Sequence, residues 1–399
     1  MSTDNPTPAK PPVAPEKWWR PYLPWLIRLA IVLVTVLATK LALPPAVIEV
    51  IKEIPVVVAA DPVLDEFAAA LPPDARFANG WVKDEDAVRA VAATLTHPVF
   101  ADTPAGKVGA VPDRVCLWDH AKTAIGRHVP TRDQGGVGSC VSFGAACAVE
   151  YGECVTRVAA LKAGQPPPDF RDIAQEVIYG GSRVQIGGGR IRGDGSVGAW
   201  AAQWCQQYGS VPRGKYDDYD LSRYSEATCR KFGSGGCPPT LVPTAKLAPT
   251  KSISQVKTVA EAKAAIASGY PITVASDVGF GQSGPYTRNA KGQLRASGSW
   301  AHQMCLIAYD KDSGFYCMNS WGEKWVNGPT GPGDPPPGGF YIEEATVARM
   351  LAQGDSWAFG DQVGFPGRQL DWVVNRTQDP RPRKPMELLP DPARSALAW

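Results

Sequence analysis

A chain of 399 residues has room for two or three domains, or for one large domain with tails. With 44% hydrophobic and 20% charged residues, and with Gly (40) and Pro (38) making up about one fifth of the chain, the composition is that of a globular protein with long loops and excludes wholesale disorder. Lys+Arg 41 against Asp+Glu 39 leaves a formal charge of +2, which gives no argument for nucleic acid as a partner, and a mean hydropathy of −0.17 excludes a polytopic membrane protein but not a single span.

Residues 1–17 are polar and Pro-rich and read as a disordered tail. The segment 18–43 is the most apolar of the chain. It is uninterrupted from Leu29 to Thr39, flanked by Arg28 and Lys40, and led by Trp18, Trp19, Tyr22 and Trp25. With the two cations snorkelling, it is long enough for one transmembrane helix, and the aromatic cluster suits an interface. The basic residues ahead of it place the N-terminus inside and the bulk of the chain extracytoplasmic. A cleaved signal peptide and a buried core helix are the alternatives. Residues 44–115, interrupted by Pro44-Pro45 and Pro72-Pro73, read as a stalk or pro-like segment, with a helix between Val82 and Leu95. Residues 116–366 hold most of the Gly, Cys and Trp and read as one compact domain, followed by a Pro/Arg-rich tail at 367–399.

The nine cysteines cannot pair completely within one chain, and no CxxC pair suggests a zinc site. Either they are reduced core thiols, or one is reactive and some of the others form disulfides outside the cytosol. Cys140 stands out. It follows the glycine-rich run Gln134-Gly135-Gly136-Val137-Gly138-Ser139 and precedes an Ala-rich segment of helical character. Ser139 is placed to cap that helix. Cys140 then falls in its first turn, where unpaired N–H groups and the helix dipole lower a thiol pKa. Cys147 and Cys154 continue along the same helix and read as core residues.

A thiol nucleophile needs a base and a group that orients it. Trp300 to Tyr309 reads as a strand, Asp310 to Gly314 as a turn and Phe315 to Asn319 as a second strand. That hairpin brings His302 nearly opposite Asn319.

The run from Gln134 to Cys140 resembles, without a gap, the nucleophile region of papain-like cysteine peptidases. Asn319-Ser320-Trp321-Gly322, with Trp325 beyond it, resembles the same family's signature around the orienting Asn. The resemblance covers about 116–350. It implies an α+β fold, a papain-like two-lobed domain with a helical lobe and a twisted antiparallel β-sheet lobe, here preceded by a single N-terminal transmembrane helix. It implies Cys140 as nucleophile, His302 as base and acid, Asn319 as orienter of the imidazole, Gln134 as oxyanion donor, and Trp321 as a shield over the Asn319–His302 bond. Asp194, Gly195 and Ser196 resemble the family's glycine strip along the substrate cleft. Gln303 stands where the family lines the pocket for the second residue on the acyl side of the cut, and should make that pocket shallower and more polar. Val137, Val141, Ala301 and Ser196 depart from the pattern. The function implied is hydrolysis of a peptide or protein substrate, without metal or organic cofactor. A catalytically idle papain-like binding protein and a Cys-His acyl transferase or crosslinking enzyme are the rival readings.

Overall fold

The structure, a computed structural model, describes residues 79–281, 286–326, 331–368 and 370. The tail at 1–17 and the apolar segment at 18–43 lie outside the described residues, as does the C-terminal tail beyond 370. Among the described residues no helix is long and apolar enough to cross a membrane.

An extended stretch, 79–84, leads into helix α1 (Glu85–Ala92). The Asp84 carboxylate caps it by accepting the Ala87 N–H at 2.8 Å, and the face carrying Ala87, Val88 and Val91 is buried. Downstream, Phe100 is wholly buried against Tyr270 and Phe365. The described part of the segment read as stalk or pro-like, 79–115, thus shares one hydrophobic core with the domain expected to begin at Cys116.

The helical lobe follows. Helix α2 (Leu117–Ile125) ends at Gly126, whose φ of 71° supplies the left-handed stop. Helix α3 (Cys140–Lys162) is the spine, buried along most of its length. Helix α4 (Gln175–Gly180) runs straight into a π turn at Gly181–Ile186. Helix α5 (Gly198–Gln207) and helix α6 (Glu226–Gly235), the latter capped by Ser225, complete the lobe. Helix α7 (Val259–Ala267) begins at a capping box in which Thr258 Oγ1 accepts the Glu261 N–H at 3.2 Å, and it leads into the sheet.

The second lobe is an antiparallel sheet, seven-stranded among the described residues. It contains β1 (Arg114–Cys116), β4 (Ser252–Gln255), β5 (Ile272–Val278), β6 (Ser299–Asp310), β7 (Gly314–Met318), β8 (Gly339–Ile342) and β9 (Asp355–Gly360). The order is β4-β9-β5-β6-β7-β8, with β1 on the far end of β6. A two-stranded ribbon, β2 (Lys215–Tyr216) with β3 (Tyr219–Asp220), stands apart, and helix α8 (Glu344–Leu351) precedes β9. The expected hairpin is present: Asp310 pairs with Gly314, and Cys305 with Met318. Helix α3 lies against β6 because its facing residues are small. A Cβ on Gly144 would come within 3.0 Å of the Gln303 amide and 3.3 Å of the Met304 carbonyl. The α+β class and the division into a helical and a sheet lobe are therefore as the sequence implies.

All nine cysteines are free thiols, eight of them buried and Cys147 half-buried, as in the reduced-thiol reading. They act as small apolar core groups. Val137 in turn packs against Tyr179 and Cys229.

One buried ion pair holds the nucleophile loop to α3. Arg132 bonds Glu150 Oε1 at 2.7 Å and Asp172 Oδ1 at 2.6 Å, with the Glu150 side chain 1% exposed. Arg132→Met leaves that carboxylate buried without its cation. It should cost about 3–5 kcal/mol, read as a lower midpoint with unchanged slope in urea unfolding. A loss below about 1 kcal/mol would mean that the loop is held elsewhere.

Candidate functional site

Two loops meet at the mouth of the sheet. Asp133 forms an isolated antiparallel bridge with Trp321. The Gln134 N–H donates to Ser320 O at 2.8 Å and the Gly322 N–H to Arg132 O at 2.9 Å. The Gln134 side chain is fixed at both ends: Nε2 donates to Val137 O at 2.9 Å, and Oε1 accepts Ser320 Oγ at 2.6 Å. From this clamp the chain turns through Gly135 (φ 58°) and enters α3 at Cys140. Ser139 occupies the cap position as expected, but its hydroxyl makes no capping bond. The backbone N–H groups of Gln303, Gly80, Val141 and Cys140 work to lower the Cys140 thiol pKa.

Cys140, His302 and Asn319 are brought together. The Gln303 N–H, next to His302 in the chain, reaches Cys140 Sγ at 3.4 Å. His302 Nε2 bonds Asn319 Oδ1 at 2.7 Å, and the Ser320 N–H donates to the same oxygen at 2.7 Å. That leaves Nδ1 of His302 without a hydrogen-bond partner among the described residues. Trp321 lies tilted over the imidazole, with ring centroids 4.7 Å apart, and Trp300 and Trp325 pack around Trp321 at 4.6 and 5.2 Å. Water is thereby kept off the Asn319–His302 bond.

The glycine strip is held from behind. Arg183, on the π turn, donates to the carbonyls of Ile191 (3.1 Å), Gly193 (2.5 Å) and Gly195. Tyr179 OH accepts the Gly195 N–H at 2.9 Å. Gly193 and Gly195 have φ of 77° and 107°, a conformation that disfavours any side chain. Asp194, expected along the cleft, spends its carboxylate on structure: it accepts the Gly138 N–H at 3.1 Å and Arg230 at 2.7 Å. Gln303 is buried, and its Nε2 donates to Val141 O at 2.8 Å.

Three participants are not apparent from the sequence. Residues 79–82 run through the cleft as an extended strap. The N–H groups of Gly80 and Trp81 both donate to Ala301 O, at 3.0 and 2.9 Å. Ser196 N donates to Gly80 O at 2.8 Å, and Val82 N to Ser196 O at 2.9 Å. The pairing with Ser196 is parallel. The indole N–H of Trp81 donates to Asp355 Oδ2 at 2.8 Å. Gly80 crosses the Gly138 backbone so closely that a Cβ would lie 2.2 Å from the Gly138 carbonyl oxygen. The signals were faint: a Gly-Trp pair ahead of a helix, and one carboxylate, Asp355, opening a strand that is otherwise buried and mostly apolar.

Burial dominates the electrostatics. Cys140 is 0% and His302 1% exposed. Burial pushes the thiol up to about 12, against the helix N–H groups that lower it, and this reverses the lowered pKa expected from the helix terminus. Burial also pushes the imidazole down to about 4, against the raising effect of Asn319. Between those values both groups are neutral. Among the described residues no cluster of His, Cys, Asp or Glu is placed to hold a metal ion.

No protein-family model matches the chain, and no curated protein matches it. Among solved structures it is similar to xylellain, a cysteine protease from Xylella fastidiosa, at 17% identity over 71% of this chain and 95% of that one, with a TM-score of 0.44. It is also similar to the proform of the ragweed pollen cysteine protease Amb a 11 (17% identity, 71% and 76%, TM-score 0.45). A third similar structure is digestive procathepsin L 3 of Tenebrio molitor larval midgut (16% identity, 74% and 78%, TM-score 0.41).

The buried imidazole gives the protein a pH dependence. His302, with an ordinary value of 6.5 and a folded value of about 4, binds fewer protons folded than unfolded in that window. Its contribution is complete above pH 6.5 and is lost as the pH falls toward 4. His120, likewise lowered to about 4 by burial, adds to the loss. Glu150, raised by burial to about 7, works in the opposite sense between its ordinary 4.5 and 7. Thermal melts of His302→Gln should therefore fall less steeply between pH 6.5 and 4 than those of the unaltered chain. Parallel curves would show that His302 is not neutral in the fold.

Proposed function

We propose that the chain is a papain-like cysteine peptidase held closed by its own residues 79–82. The observation that carries this reading is the convergence of Cys140, the His302–Asn319 pair and a main-chain ledge, Ser196 and Ala301, already occupied by an extended peptide. The strap stands in for a substrate backbone. Its bonds are the strand-addition contacts a peptide makes along such an edge.

With the strap displaced, water and substrate dipoles reach the pair. His302 takes the Cys140 proton, and the thiolate attacks the scissile carbonyl. The carbonyl oxygen, now an oxyanion, is met by the Cys140 N–H and the Gln134 amide. His302 then protonates the leaving amine, and water cleaves the acyl-enzyme with His302 as base. Asn319 holds the imidazole so that the nitrogen not bonded to Asn319 is the one that moves protons. Asp194 acts behind the cleft wall, while Gly195, Ser196 and the Ala301 carbonyl act on its surface. The segment 18–43 is proposed to anchor the protein by one helix, with the catalytic domain extracytoplasmic.

A second reading, an idle binding protein, is favoured by the complete burial and neutrality of the pair. The two readings part at Gly80. Gly80→Val cannot be accommodated against the Gly138 backbone, so the strap must lift. Alkylation of Cys140 by iodoacetamide should then rise on the order of tenfold, the effect of a local opening made easier by about 1.4 kcal/mol, and peptide hydrolysis should appear with it. Faster alkylation without hydrolysis would favour the idle reading.

In that opened variant, Cys140→Ala or Cys140→Ser should abolish turnover of fluorogenic peptides. His302→Ala should lower kcat/KM by about 10²–10⁴-fold, and Asn319→Ala by less, since it orients the ring and moves no proton. Full turnover without Cys140 would end the peptidase assignment.

The anchor reading expects full-length protein to sediment with membranes and to resist carbonate extraction. Recovery of the uncleaved chain as soluble protein would sink it.

A further inference from the structure

Behind the site, between the nucleophile loop, α3 and the hairpin, lies a small cavity that the chemistry above does not use. Arg132, Cys147, Glu150, Tyr151, Met318 and Asn319 are among its lining residues, and it leaves about 20 Å³ for the centre of a water molecule, where about 10–15 Å³ is enough for one. A wholly apolar cavity of this kind stays dry. Here, among the described residues, three buried polar atoms of the lining side chains have no hydrogen-bond partner: Asn319 Nδ2, Arg132 Nε and the Tyr151 hydroxyl. Asn319 Oδ1 already takes His302 Nε2 and the Ser320 N–H, so two partners orient the carboxamide and Nδ2 is the end left over. Arg132 spends Nη1 on Asp172 and Nη2 on Glu150 and Asp172, which leaves Nε. On the acceptor side, the bonds from Arg132 and from the Ile173 N–H both fall on Glu150 Oε1, and none among the described residues falls on Oε2.

Buried donors and acceptors without partners are costly, and the chemistry of this set selects its ligand. A cation would meet the Arg132 guanidinium and two N–H donors. An anion would meet the Glu150 carboxylate. A neutral molecule that both donates and accepts suits every group. We propose that the cavity is the site of one ordered water, which accepts from Asn319 Nδ2 and Arg132 Nε and donates to Glu150 Oε2, and that this water makes Glu150 a positioning residue for His302. The hydrogen bonds then run in one sense: His302 Nε2–H to Asn319, Asn319 Nδ2–H to water, water O–H to Glu150. Each bond polarises the next. The Asn319 oxygen becomes a stronger acceptor, and the imidazole is held in the Nε2–H form with Nδ1 left for the thiol. No proton moves along the line. The consequence for catalysis rests on the peptidase reading, whereas the site does not.

The site can be tested in the full chain without any activity. High-resolution crystals should show one water within hydrogen-bond distance of Asn319 Nδ2 and Arg132 Nε. A dry cavity, or one filled by the Met318 side chain, would overturn the proposal. The positioning role is read through Cys147, which lines the cavity from α3 and takes no part in the chemistry. Cys147→Leu puts carbon where the water sits, while Cys147→Ser, close to cysteine in size, leaves the room. In the Gly80→Val background, Cys147→Leu should lower kcat for a fluorogenic peptide on the order of tenfold at unchanged KM, the effect of one buried hydrogen bond lost. Cys147→Ser should leave kcat as it was. Equal kcat in the two variants, with the water gone from the first, would overturn the positioning role. Should Cys147→Leu not fold, the nuclear Overhauser effect from water to the Asn319 side-chain amide protons reads the same contact in the unaltered chain, and its absence would overturn the site. Water in the cavity of a chain that cleaves no peptide after Gly80→Val supports the site and overturns the peptidase reading alone. Cleavage by a chain whose cavity is dry does the reverse.

Discussion

The clamp between residues 132–134 and 320–322 is the constraint on which the rest of the site depends. Cys140, the proposed nucleophile, stands at the tip of a helix in one lobe, and His302 and Asn319, its proposed base and orienter, stand on a hairpin in the other. A displacement of one ångström between them would be enough to spoil proton transfer. Two main-chain hydrogen bonds, Gln134 to Ser320 and Gly322 to Arg132, together make the Asp133–Trp321 bridge and fix the two lobes beside Cys140 and His302. The same clamp immobilises the Gln134 amide, the proposed oxyanion donor, between Val137 and Ser320. Behind it, Arg132 joins the loop to the Glu150 carboxylate of the spine helix, which places a buried ion pair where a loop would otherwise swing.

Burial is the second organising effect, and it acts against the chemistry. A thiol at a helix N-terminus and an imidazole bonded to an amide form a favourable pair only if the charges they create are solvated or matched. Under the strap neither condition holds, and desolvation outweighs the helix N–H groups at Cys140 and the Asn319 bond at His302. The fold therefore holds Cys140, His302 and Asn319 in register through the clamp while burial suppresses the ionisation of the thiol and the imidazole.

What was legible in the sequence and what was not divide by distance along the chain. Cys140 and Gln134 sit in one short run with the glycines that shape it. His302 and Asn319 flank a turn whose residues announce it. The two lobes follow from helix caps such as Thr258 and from the strand pattern of 299–318. By contrast, the contact between Trp81 and Asp355 spans 274 residues, and no local pattern in either segment points to the other. The thiol pKa was misjudged for the same reason: the helix terminus is a local feature, whereas the covering strap comes from 60 residues upstream. Ser139 had the right position for a cap but not the hydrogen bond, because its hydroxyl turns toward Val137 and Tyr224.

The short connection between the strap and α1 has a kinetic meaning. Only Lys83 and Asp84 separate Val82 from a helix that is itself packed into the core. The strap is thus a ligand tethered by two residues, and such tethers confer effective concentrations of millimolar or more. A free peptide that fits no better than the strap, offered at micromolar levels, competes against that local concentration and loses. Adding substrate is a poor way to open this cleft; cutting or bending the tether changes the competition itself.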